Sequence, residues 1–199
     1  MGLKRVGKKP LSRVREGIFQ TVDIGSGFGE YISRQAERFP HRRYAVVDPR
    51  YARTSGFGQI HLESEFKRLG IHMHPGTGAS FFEEMARRGW KTHAINFDMP
   101  LGSEAELSRI LDLAPHTLFP NGKIFVATER LTALDHFIKI AREKGFSVTE
   151  RKSMPPAQAR QRTAYSHRHS NNPQRPIRRL EITFGLKKAF PDKKQRQKR

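Results

Sequence analysis

The sequence contains no cysteine. That excludes disulfides, thiolate metal ligands and a thiol nucleophile. It also has no apolar run approaching the roughly 18 residues of a membrane-spanning helix, and no apolar signal-peptide core. The expectation is a soluble, intracellular, cytoplasmic chain that does not meet a membrane. A mitochondrial matrix location is the alternative, because acids are absent before Glu16. Acids are scarce throughout: 19 Asp and Glu stand against 38 Lys and Arg, for a net charge of +19. With 199 residues the chain can bury one core and still carry tails.

The charge is segregated. Residues 1–16 carry +5, residues 17–150 carry +1, and residues 151–199 carry +13. A near-neutral body between two basic flanks points to a polyanionic partner, most simply nucleic acid. The expected layout is a basic N-terminal arm over 1–16, a folded domain over 17–186 and a basic C-terminal tail over 187–199. A polar insertion over 153–176 interrupts the domain and is too long for a compact connection.

Within the body, strand and helix signals alternate. Apolar runs at 19–25, 43–49, 70–74, 91–100 and 121–129 read as strands, the last after an Asn-Gly turn. Helical patterns lie between several of them: one stops before Pro40, one is closed by Gly89, and one over 103–114 opens with a Ser103–Glu106 capping box. A helix over 133–145 is followed by two strands, 146–152 and 177–186, with no helix between them. The expectation is an α/β fold with a Rossmann-like, doubly wound, seven-stranded sheet, mostly parallel with an antiparallel C-terminal strand.

The stretch VDIGSGFGE, residues 22–30, follows the first strand. Its glycines, Gly25, Gly27 and Gly29, permit a tight turn and close backbone approach at a helix N-terminus. A dinucleotide fingerprint would place its third glycine at position 30, which is Glu30 here and unfavourable for a pyrophosphate. Asp48, at the end of the second strand, is placed to accept both hydroxyls of a ribose. Together they suit a nucleoside without a pyrophosphate, and a nicotinamide-type site is disfavoured.

These pieces resemble the class I S-adenosylmethionine-dependent methyltransferases over about residues 19–186: VDIGSGFG as the first motif, AVVDP as the acidic end of strand two, INFDMP as the fourth-strand motif. The resemblance implies S-adenosylmethionine as cofactor. Asp23 would lie near its amino group, with Gly25, Ser26, Gly27 and Gly29 beneath it and Asp48 on the ribose. Thr77 and Phe97 are further candidate contacts. After strand three this family usually carries an acid or amide; here the stretch is HPGTGAS, with Thr77 or Ser80 as the side chains available. Within the superfamily, NFDMP, VATE and TAYS (163–166) resemble motifs of the tRNA guanine-N7 methyltransferases. The Asp-Pro-Trp tryptophan and the basic run after it are absent.

Asp98 and Asn96, at the end of strand four, are the candidate catalytic residues: methyl transfer to a base nitrogen asks for positioning and a proton acceptor more than for a nucleophile. RNA, either tRNA or rRNA, is the expected partner. Arg160, Arg162, Tyr165, Arg168, Arg175, Arg178 and Arg179 combine phosphate-binding cations with a stacking ring. No metal is expected, since neither His72 and His74 nor His167 and His169 have acids at ligand spacing. A non-catalytic RNA- or ribosome-binding protein on the same fold is the alternative function.

Overall fold

The computed structural model describes residues 17–52, 57–98, 104–128, 131–154 and 177–184. The chain alternates β1 (Ile18–Ile24), α1 (Glu30–Arg38), β2 (Tyr44–Val47), α2 (Phe57–Leu69), β3 (Ile71–His74), α3 (Gly78–Arg88), β4 (Lys91–Asp98), α4 (Glu104–Thr117), β5 (Leu118–Thr128) and α5 (Leu131–Glu143). It finishes with β6 (Phe146–Met154) and β7 (Ile177–Phe184). The seven strands form one sheet in the order β3-β2-β1-β4-β5-β7-β6. β1 to β5 pair in parallel, and β7 runs antiparallel between β5 and β6. The expected α/β sheet and its antiparallel end are both present.

Two cores flank the sheet, because alternate strand residues face opposite ways. Val22, Ile24, Ala45, Val47, Ile95, Phe97, Ile124 and Val126 bury one face beneath α3, α4 and α5. Tyr44, Val46 and Ile71 meet Ile32 and Ala36 of α1 and Phe66 of α2 on the other. The strand order reverses at β1/β4, so the loops after β1 and β4 diverge and leave a crevice at their carboxyl ends.

Three elements differ from the sequence reading. α2 has no counterpart in it: Leu62, Phe66 and Leu69 do mark a helical face, but Gly58 lies in its first turn and propensity there is poor. α4 continues through Pro115 to Thr117, whose hydroxyl donates to the Leu113 carbonyl at 2.9 Å. The Asn121–Gly122 pair does not precede β5 but lies within it. The pairing with β4 jumps from Thr92↔Leu118 to Ala94↔Lys123, a bulge that absorbs the extra residues.

Candidate functional site

The glycine turn leaves β1 at its carboxyl end, and Gly25, Gly27 and Gly29 all have positive φ (74°, 60° and 66°). Only glycine adopts three such angles within five residues without strain. At Gly29, the N-cap of α1, a Cβ would stand 2.5 Å from Phe66 Cζ. Contact with α2 therefore demands glycine there as well.

Asp48 follows β2 and is 2% exposed. Its carboxylate accepts from the Gly27 amide at 3.1 Å, which ties the turn to the second strand. It also accepts from the Arg50 amide at 2.9 Å and from the Arg50 guanidinium, Nε at 2.9 Å and Nη2 at 2.6 Å. Burial pushes the Asp48 carboxyl up, but the Arg50 bonds and charge, with the Gly27 amide, hold it below the ordinary carboxylate value. Asp48 is thus an ionised acceptor, and Arg50 occupies both of its oxygens.

Tyr51, in the 3-10 turn Pro49–Ala52, is a site residue that the sequence reading missed. Its buried hydroxyl donates to the Gly27 carbonyl at 2.8 Å and meets Ser26 Oγ at 2.8 Å. Its ring packs edge-on to Phe66. The Ser26 side chain is therefore committed to the turn itself. An aromatic just past an acidic strand end was the available signal, but it reads equally as core.

Asp23 is 1% exposed and stands opposite Asn96 in the β1–β4 register. The two side chains share the face that carries α1, away from the α3–α5 core. Asn96 Nδ2 is buried with no hydrogen-bond partner among the described residues. Asp98 is the last residue of β4 and pairs with Ala127. Phe97 points the other way, 2% exposed within the core beneath α3 and α4, so its ring packs the core.

The loop after β3 offers no carboxylate. Thr77 is the N-cap of α3, its Oγ1 accepting from the Ser80 amide at 3.1 Å. Ser80 Oγ donates to the Thr77 carbonyl at 2.8 Å and lies 3.1 Å from His74 Nε2. Ser103, the other half of the expected capping box, lies outside the described residues; Glu106 reaches across to α3 and accepts from the Gly78 amide at 2.5 Å. Burial, with Glu84 opposing it, holds the His74 imidazole below its ordinary value. No metal cluster is found among the described residues. Arg160, Arg162, Tyr165, Arg168, Arg175 and the TAYS stretch lie outside the described residues. Arg178 and Arg179 are on β7, opposite Thr128 and Ala127, at the carboxyl end of β5.

No family model matches the sequence, and no curated protein does. Solved structures do match. The 16S rRNA methyltransferase KamB superposes with a TM-score of 0.56 at 15% identity, covering 85% of this chain and 88% of its own. A precorrin-6y C5,15-methyltransferase from Geobacter metallireducens gives 0.55 at 12% identity, covering 86% of this chain and 83% of its own. Aeropyrum pernix fibrillarin, solved with natively bound S-adenosyl-L-methionine, gives 0.55 at 14% identity, covering 88% and 69%. The likeness to the tRNA guanine-N7 enzymes gains nothing from these neighbours. The fold of this chain is that of the class I S-adenosylmethionine-dependent methyltransferases.

Proposed function

We propose that the protein is an S-adenosylmethionine-dependent methyltransferase that acts on a base nitrogen of an RNA, tRNA or rRNA. One observation carries the reading: the Asp48 carboxylate at the end of β2 accepts from the Gly27 amide in the turn after β1. This closes a glycine turn around an acceptor suited to ribose hydroxyls. Glu30, in the first turn of α1, places a negative charge where a pyrophosphate would need a positive one.

The residues present fit the cofactor. Asp48 would take the ribose hydroxyls once Arg50 yields its place, and Gly25–Gly29 leave room for the nucleoside. Asp23 and Asn96 stand opposite each other in the β1–β4 register, and the buried Asn96 amide nitrogen is a donor that suits the carboxylate of an amino-acid head group. When bound, S-adenosylmethionine supplies a methyl group on a positively charged sulfur. The chain's part is to hold the accepting nitrogen in line and take up its proton: at the end of β4 the Asn96 amide oxygen would orient the nitrogen and the Asp98 carboxylate would accept the proton. Rings and cations of 160–179 would bring the RNA to that edge.

The test is calorimetric titration with S-adenosylmethionine and S-adenosylhomocysteine, with NAD as control. Asp48→Ala removes the ribose acceptor and is expected to weaken binding by about a hundredfold. Arg50→Ala removes a competitor for the same oxygens and is expected to strengthen it by about threefold to tenfold. Equal binding by wild type and Asp48→Ala would overturn the role given to Asp48.

A second reading has its own observation: Arg50 fills the ribose acceptor and no acid follows β3. A non-catalytic RNA-binding protein on this fold would show it. A wild-type chain that melts cooperatively and binds RNA, yet takes up neither nucleoside, would select that reading.

A further inference from the structure

The amino edge of the sheet, opposite the glycine turn, carries a chain of cation–ring contacts unused by the proposed reaction. Phe39 follows α1, and the guanidinium of Arg38 lies 5.1 Å from its ring centroid and that of Arg42 4.7 Å. Next along the chain, Arg43 lies 5.3 Å from the Phe19 ring. Phe19 meets Trp90 edge-on at 5.7 Å, and Arg88 lies 4.7 Å over the indole. The contacts run along the amino ends of β2, β1 and β4.

Charge balance there is one-sided. Arg88 has a carboxylate, Glu84, at 2.9 Å. Among the described residues Arg38, Arg42 and Arg43 make no ion pair, and the neighbouring Glu37 faces Arg68 at 3.7 Å. Helix-dipole compensation explains a cation at the end of α1. It does not explain Arg42 and Arg43, which lie beyond the helix on the turn into β2.

The topology adds a second, independent observation. The chain enters the fold at Gly17, whose carbonyl accepts from the Lys91 amide at this edge. It leaves β7 at Phe184, which pairs with Phe146, the first residue of β6, at the same edge. The segment before Gly17 carries +5, and residues 185–199 carry +6. Because β7 runs backwards, the other basic segment, 155–176, joins Met154 to Ile177 at the opposite, glycine-turn edge. The basic segments thus join the fold at two edges, about 20 Å apart along the strands.

We propose that this amino edge is a second nucleic-acid docking surface, where Arg38, Arg42 and Arg43 hold phosphates of an RNA whose target base lies at the glycine-turn edge. The proposal rests on the RNA reading above. Guanidiniums stacked on rings keep donors free for phosphate oxygens, and the rings stiffen them at low entropic cost. A lipid surface fits less well: the one large exposed hydrophobic side chain among the described residues is Phe28, in the glycine turn.

The experiment is fluorescence titration of the full chain with a labelled RNA hairpin over a range of salt, using Arg38→Gln/Arg42→Gln. Both positions are exposed, so the fold is expected to survive, checked by an unchanged melt and unchanged S-adenosylmethionine affinity. The expected result is about a tenfold loss of RNA affinity at physiological salt and a salt slope shallower by about two. Arg38→Lys/Arg42→Lys is expected to keep the wild-type slope. If the Gln variant binds like wild type, the docking surface is overturned while the RNA reading stands. If wild type binds no RNA, or the Lys variant loses the same slope as the Gln variant, the proposal falls. The first of those outcomes removes the RNA reading too.

Discussion

Tyr51 shows how much of the site rests on a residue that touches no substrate in the proposed reaction. Burial, and after it the charges of Asp48 and Asp23, raise its phenol above the ordinary value, against the opposing Ser26 bond. It therefore stays a protonated donor at any working pH. Tyr51→Phe leaves the Gly27 carbonyl and the Ser26 hydroxyl without that partner in a buried setting. The expected cost is about 1–3 kcal/mol in urea denaturation, with a loss of cofactor affinity as the turn loosens. Unchanged stability and affinity would mean that the glycines hold their conformation unaided. The position of Asp48, an acid ending the second strand beside a glycine turn, was legible in the sequence. Its engagement by Arg50 was not, because a contact two residues on depends on how the chain turns through 49–52. Ser26 and Thr77 were legible as positions, whereas their use within the turn and as a helix cap appears only once hydrogen-bond partners are known.

Among the elements, β3 is a four-residue edge strand whose His72 side chain is wedged between Phe81, stacked at 5.5 Å, and Phe19 and Trp90. Burial is the main reason its imidazole is held below the ordinary value; Glu84 opposes this, and His74, Arg43 and Arg88 reinforce it. The sign follows from proton counting. The unfolded chain binds a proton near pH 6.5 that folded His72 refuses. Stability is therefore full above that pH and declines as the pH falls below it, until the folded value is passed. Urea midpoints measured downward from pH 7.5 are expected to drop, and His72→Phe to drop less. Parallel slopes would place the titration elsewhere. β2, a uniform apolar run, was plain in the sequence because burial on both faces leaves no polar alternation. α2 was hidden because its apolar residues follow glycine-rich turn chemistry. The bulge in β5 was read as a turn because Asn-Gly commonly marks one.

For the molecule as a whole, the separation of a near-neutral body from basic flanks was legible from charge alone, and the fold class from the alternation of elements. Which edge each flank joins was not, since that depends on the direction of β7. Deleting 187–199 is expected to lower RNA affinity and flatten its salt dependence while leaving cofactor affinity unchanged. An identical slope after deletion would exclude the tail from the interface. The place of β7 also bears on how the fold is reached. It is the last strand in sequence, yet it lies between β5 and β6. Until it arrives, each of those strands shows an unpaired edge. A chain stopped before residue 177 would lack the strand that joins them, and would be expected to associate through those edges rather than fold alone. Assembly of the carboxyl half of the sheet therefore waits on its final strand, and with it the pairing of Arg178 and Arg179 beside the ends of β4 and β5.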